Sequence, residues 1–184
     1  MDNNRFSPEE RRQLLNFVRQ VITSHLCNGE LPEIPAIPHL SEPGACFVTL
    51  KDFSGNLRGC IGNIEAFEPL GENLIRNAVN AATEDPRFPA VDWEEFSECT
   101  LELSILTSAK PIASPEEFVV GRDGIILRAA NRGAVFLPQV APEQHWDRET
   151  TLTYLARKAG LPADAWRNAD ARLFTFQAEP KYSY

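Results

Sequence analysis

Cys46-Phe47-Val48-Thr49-Leu50-Lys51, then Asp52-Phe53-Ser54-Gly55-Asn56, then Leu57-Arg58-Gly59-Cys60-Ile61 is the stretch that decides the fold. Two runs of strand-forming residues flank a short polar turn, which predicts an antiparallel hairpin that carries Cys60 to its far end. Upstream, Ser7-Pro8-Glu9-Glu10 has the residues of a helix start, with Ser7 as cap, Pro8 in the first turn and Glu10 returning to the cap amide. Leu14, Val18, Val21, Ile22 and Leu26 then fall on one stripe, and Asn28-Gly29 ends the helix. Pro32, Pro35, Pro38 and Pro43 predict an irregular crossing before the hairpin. Downstream, a helix is predicted from about Leu70 to Thr83, with Leu74, Ala78, Ala81 and Ala82 as a small-residue face and Asp85-Pro86 as its stop. Thr100 to Thr107 alternates as a half-buried strand, with Glu102 on its less apolar side. Short strands and turns occupy Pro111 to Leu137, with reversals at Gly121-Arg122-Asp123-Gly124 and Asn131-Arg132-Gly133. Asp147 to Ala159 is a capped helix closed by Gly160, and Leu173-Phe174-Thr175-Phe176 is a final strand. Strands mixed with helices, without regular alternation, predict an α+β fold rather than a doubly wound parallel sheet.

The length of 184 residues suits one domain with a full core, with room for a smaller lobe. Apolar and charged fractions of 43% and 24% are those of an ordinary globule, which sets disorder aside. A net charge of −8 repels phosphate backbones, so a nucleic-acid partner is disfavoured. The first residues, Met1 to Phe6, lack an apolar signal core, and no run approaches the roughly 20 apolar residues that span a bilayer. The expectation is a cytoplasmic protein without a membrane partner. Its four cysteines, Cys27, Cys46, Cys60 and Cys99, lack paired spacing and are expected to be reduced.

Cys60 lies between Gly59 and Gly62 and two residues after Arg58. One reading is a reactive thiol: glycines that bend the backbone and leave N–H groups open to an anion, and a guanidinium that favours thiolate. The other is a small cysteine packed at a strand end, where glycine permits close approach. Metal chemistry finds no support, because His25 and Cys27 point to different faces of a helix and neither His39 nor His145 has a partner at ligand spacing. No metal and no cofactor is predicted. Gly121-Arg122-Asp123-Gly124 lacks the lysine and following helix of a phosphate loop and reads as a turn.

Leu57-Arg58-Gly59-Cys60-Ile61-Gly62, with Phe47-Val48-Thr49-Leu50-Lys51 before it, Asp85-Pro86-Arg87-Phe88 and Leu137-Pro138-Gln139-Val140 after it, and Lys158-Ala159-Gly160-Leu161-Pro162 to Trp166 beyond, resembles the AMMECR domain family, the family of AmmeMemoRadiSam system protein A. The resemblance covers nearly everything after the first helix and its proline-rich exit. It implies one AMMECR domain over residues 1–184. A larger lobe would hold a mostly antiparallel sheet flanked by helices, and a smaller β-rich lobe within 108–140 would leave a ligand cleft between them. It also implies a modification pathway shared with a radical S-adenosylmethionine protein and a Memo-type protein. Arg58, Cys60, Asp85, Arg87, Glu102 and Gln139 lie in or beside its motifs. If they converge, Arg58 and Arg87 would bind a carboxylate or phosphate and Gly59 and Gly62 would present amides. Gln139 would orient a carbonyl, and Cys60 would attack a small-molecule or peptide substrate with Glu102 moving protons. The competing assignments are an Asp85–Arg87 ion pair fixing a turn, Glu102 as a solvated strand residue, and Gln139 satisfying loop backbone. A cysteine-dependent enzyme component and a non-catalytic binding or scaffold module both remain open.

Overall fold

Ser7 closes the first helix as its sequence predicts. In this computed structural model, which describes residues 5–179 and 182–183, Ser7 Oγ accepts from the Glu10 amide, and the Ser7 amide donates to Glu10 Oε2 at 2.7 Å. Helix α1 (Pro8–Leu26) therefore starts with two of its orphan donors satisfied. Ser7→Ala should cost about 1 kcal/mol, read as a lower thermal midpoint, whereas Ser7→Asp should be near neutral.

The chain forms two compact units. The first spans the described residues up to Leu106 together with Glu179 and the short strand after it. Its further elements are β1 (Pro43–Lys51), β2 (Leu57–Gly62), β3 (Glu68–Pro69), α2 (Leu70–Thr83), α3 (Trp93–Ser97) and β4 (Thr100–Leu106). The proline-rich crossing holds one 3₁₀ turn, Pro38–Ser41, where no regular structure is predicted. Proline in its first position supplies the fixed φ that such a turn uses. The sheet runs β2-β1-β4, antiparallel throughout, and the late strand Tyr182–Ser183 pairs with β4 at its edge. Alternation then sorts the side chains. Cys46, Val48, Leu50, Leu101, Leu103 and Ile105 are buried in one core with Leu14, Val18, Val21 and Ile22 of α1 and Leu74, Ala78 and Ala81 of α2. Phe47, Thr49, Lys51, Cys60, Glu102 and Ser104 occupy the opposite face and are half-buried.

The second unit, Thr107–Ala178, contains β5 (Lys110–Ile112), β6 (Gly124–Ala129), β7 (Arg132–Phe136), α4 (Val140–Glu143), α5 (Arg148–Lys158) and β8 (Arg172–Phe176). Its antiparallel sheet has the order β5-β8-β6-β7. Phe118, Ile125, Leu127, Leu152, Leu155, Ala156 and Leu173 form its core. This unit is larger than the expected lobe at 108–140, and β8 and α5 belong to it rather than to the first unit. The reason is pairing: β8 lies between β5 and β6, with Leu173 opposite both Ile112 and Leu127, so β5 and β6 are joined into one sheet only through β8. The fold is α+β, with two antiparallel sheets and flanking helices.

Candidate functional site

β1 pairs with β2 so that Cys60 stands opposite Thr49, and β1 pairs with β4 so that Thr49 stands opposite Glu102. The three residues form one row across three strands on the half-buried face. Thr49 Oγ1 donates to Cys60 Sγ at 3.2 Å. The backbones of Cys60 and Glu102 are two inter-strand steps apart, roughly 10 Å. The Glu102 carboxylate accepts from Lys51 Nζ at 2.5 Å. Cys60 and Glu102 therefore share a face, with Thr49 between them.

Asp85 holds the main chain of Cys60. Its side chain is buried, and Oδ2 accepts from the Cys60 amide at 2.9 Å. Arg87 donates to both carboxylate oxygens, Nε at 2.9 Å and Nη2 at 2.7 Å, and the Arg87 amide adds a bond at 3.1 Å. The same Nη2 reaches the Cys60 carbonyl at 3.3 Å. The Arg87 guanidinium above all, with the Cys60 and Arg87 amides, overrides burial and holds the Asp85 carboxyl far below the usual carboxylate range. Reciprocally, hydrogen bonding to Asp85 raises Arg87. Asp85-Pro86-Arg87-Phe88 is thus a clamp on the peptide groups either side of the Cys60 α-carbon. The ion-pair assignment accounts for its geometry.

Arg58 is engaged elsewhere. Its Nε and Nη2 donate to the two oxygens of Glu95 at 2.5 and 2.9 Å, and its guanidinium lies 5.8 Å from the centre of the Phe88 ring. The cause is a register shift: Leu50 pairs with Gly59 but Lys51 pairs with Leu57, so Arg58 is an extra residue in β2, out of step with Cys60. Glu95, on the five-residue α3 and 37 residues away, was not among the expected residues.

Gly59 and Gly62 lie within β2 and do not bend it into an anion-binding turn; positive φ among glycines occurs at Gly55, Gly121 and Gly160. They serve close approach. A Cβ at Gly59 would lie 2.1 Å from the Ala81 carbonyl oxygen of α2, and one at Gly62 would lie 2.4 Å from the Cys46 carbonyl oxygen and the Phe47 ring. Gln139 is exposed at the N-terminus of α4 in the second unit, where its carbonyl accepts from the Glu143 amide. Asp123 is buried in that unit. Burial acts to raise it but is outweighed by bonds from Arg122, the Val119 amide and Gln177, so its carboxyl stays low. It fixes the turn at Gly121.

A buried polar network beside the row escaped the sequence reading. Asn73 Oδ1 accepts from the Cys46 amide at 3.0 Å, Asn77 Nδ2 donates to the Cys46 carbonyl, and Asn63, Glu68 and Arg76 complete the set. Asn73 and Asn77 are four apart on the face of α2 that looked purely apolar, and that i,i+4 amide pair was the available signal. Burial pushes the Cys46 thiol up to about 12, which leaves it unreactive. All four cysteines carry free thiols; Cys27 is exposed, Cys60 half-buried, and Cys46 and Cys99 buried. Among the described residues no group of three or more His, Cys, Asp or Glu side chains could hold a metal ion. Among them, too, no helix is long and apolar enough to cross a membrane.

Comparison with known proteins agrees with this architecture. The chain is 41% identical over 177 residues to a protein of Thermococcus gammatolerans, covering 90% of this chain and 86% of that one. It is 39% identical over 180 residues to Protein MK0488 of Methanopyrus kandleri, covering 93% and 87%. The crystal structure of the uncharacterised protein PH0010 from Pyrococcus horikoshii superposes with a TM-score of 0.80 at 34% identity, over 97% of this chain and 98% of that one. The AMMECR1 family matches residues 15–180, a span that includes the Cys60 row, its clamp and both sheets apart from the edge strand Tyr182–Ser183, and the chain belongs to that family.

Proposed function

We propose that the half-buried face of the first sheet is the working surface of this AMMECR1-family protein, with Cys60 as the thiol that meets a small-molecule or peptide substrate. The observation that carries this reading is the row Cys60–Thr49–Glu102: a thiol within reach of solvent, a hydroxyl bonded to its sulfur, and a carboxylate–ammonium pair beyond. The clamp from Asp85 and Arg87 supports it, since a reacting sulfur gains from a fixed backbone. Asp85 and Arg87 are then positioning residues. Glu102, two strands away from Cys60 and paired with Lys51, would move protons on the substrate rather than on the thiol. By family resemblance the reaction belongs to a modification pathway shared with radical S-adenosylmethionine and Memo-type proteins. The cytoplasm, where four unpaired thiols stay reduced, is the compartment that fits.

A second reading, a binding or scaffold module without chemistry, is favoured by one specific observation: the guanidiniums of Arg58 and Arg87 are already occupied by Glu95 and Asp85. Replacement of the natural copy by Cys60→Ser in cells separates the two. A chemical role predicts that the variant, present at the natural level, reproduces the metabolite profile of a deletion. A scaffold predicts the natural profile. Thr49→Val should give an intermediate profile under the first reading and none under the second.

A further inference from the structure

We propose that the proline-rich crossing and the start of α2 form a binding site, separate from Cys60, for a small organic amine: an apolar body that carries an ammonium group. A pocket of about 480 Å³ opens between them, lined chiefly by Ile34, Pro35, Ile37, Leu40, Pro69 and Glu72. That volume lies within the range of small-molecule sites. The pocket shares no residue with the Cys60 row or its clamp.

Its walls are set before any ligand arrives. Pro35 and Pro38 have a fixed φ and no amide hydrogen to satisfy. The Ile37 amide donates to the Pro35 carbonyl at 2.7 Å, the Leu40 amide to the Ile37 carbonyl at 3.0 Å, and Ser41 Oγ to the Pro38 carbonyl at 2.9 Å. The Leu70 amide donates to the Glu42 carbonyl at 2.9 Å and so ties the end of the crossing to the start of α2. Gly71 lets the two approach closely, since a Cβ there would lie 2.8 Å from Ile34 Cγ2. Ile37 and Leu40 are anchored in the core of the first unit, whereas Ile34 stays exposed. A wall already ordered lowers the entropy that binding must overcome.

Charge selects among apolar ligands. Glu72 is the one charged residue that lines the pocket, and from Glu30 to Pro43 the crossing contains no lysine or arginine. Its single histidine, His39, lies against Glu42. Arg76, one helical turn after Glu72, is spaced to neutralise it, but donates instead to Glu68 Oε1 through Nε at 2.9 Å and Nη2 at 2.6 Å. Among the described residues no cation pairs with Glu72. An anion in this pocket would meet repulsion, and an ammonium would meet a carboxylate. Ser41 Oγ, with its hydrogen committed to the Pro38 carbonyl, keeps lone pairs for a second N–H of the amine. The apolar wall supplies most of the affinity, and Glu72, solvent-exposed, supplies the preference for a cation.

Phenethylamine is the probe, with phenethyl alcohol and hydrocinnamate as its neutral and anionic counterparts. In the full chain, phenethylamine should shift the methyl resonances of Ile34, Ile37 and Leu40 saturably. It should bind about threefold more tightly than the alcohol, the worth of one exposed ion pair, and about tenfold more tightly than hydrocinnamate. Glu72→Gln should bring the amine down to the affinity of the alcohol and leave the alcohol unchanged, at a nearly natural thermal midpoint. Ile34→Ala should weaken amine and alcohol alike. Absence of saturable shifts, equal shifts at methyls of the second unit such as Ile126 and Leu173, equal affinity for the three probes, or an amine affinity untouched by Glu72→Gln would each overturn the proposal.

Discussion

Gly59→Ala should lower stability by about 3 kcal/mol or more, one of the larger effects available to a single added methyl group. The new Cβ would sit 2.1 Å from the Ala81 carbonyl oxygen, which is backbone in the last turn of α2 and cannot rotate away as a side chain could. Relief requires α2 to separate from β2, and with it the packing of Leu74, Ala78 and Ala81 against Val48 and Leu50. In a chain of this size the loss should appear as a fall of roughly 6–12 °C in the thermal midpoint. Gly55→Ala, in the hairpin turn at φ 84 with open space around it, should cost only about 1 kcal/mol. Equal effects at the two positions would mean that β2 and α2 do not pack as closely as described.

Asp85→Ala should cost about 2–4 kcal/mol and release the Cys60 backbone. The substitution strands the Cys60 amide and removes the acceptor shared by three Arg87 contacts; Arg87 itself is more than half exposed and is solvated rather than buried unpaired. Hydrogen exchange at the Cys60 amide should accelerate at least tenfold, more than at Val48 or Leu103 in the same sheet. The pH dependence has a definite sign. The folded Asp85 carboxyl lies below its unfolded value of about 3.9, so its contribution is complete above that pH and is lost as pH falls toward the folded value. Wild type should therefore lose stability on acidification below about pH 4 more steeply than Asp85→Asn does. Parallel curves for the two proteins would remove Asp85 from the clamp.

Local chemistry made much of this structure readable from sequence. Ser7, Pro8 and Glu10 announce α1 because a capping box is written within four residues, and the polar turn Asp52–Asn56 announces the hairpin, although the register that sets Thr49 opposite Cys60 depends on the shift at Leu50/Lys51. The alternation at Leu101, Leu103 and Ile105 likewise placed Glu102 on the open face. What depended on distant partners was hidden. Nothing near Arg58 tells that a register shift accompanies its contact with Glu95, 37 residues further on. For Gly59 and Gly62 sequence offers both a bend and close approach, and the second holds here because glycine answers to the Ala81 carbonyl and the Phe47 ring, partners that only the fold brings near. Asn73 and Asn77 are buried only because their partners, the Cys46 peptide groups and Asn63, come from other elements, which the helix pattern alone does not show. The extent of the second unit was hidden in the same way, since β8 joins a sheet whose other strands precede it by more than 30 residues.

The most direct measurement is the rate of iodoacetamide labelling at each cysteine of the native protein at neutral pH, resolved by peptide mass spectrometry. A substrate-facing thiol at Cys60 requires labelling faster than at exposed Cys27, and at least a hundredfold faster than at Cys46, whose raised pKa and burial shut it off until unfolding. Thr49→Val should slow Cys60 and leave Cys27 unchanged. Protection of Cys60 to the same degree as Cys46, lifted only when the whole chain unfolds, would contradict the assignment of this face as the working surface.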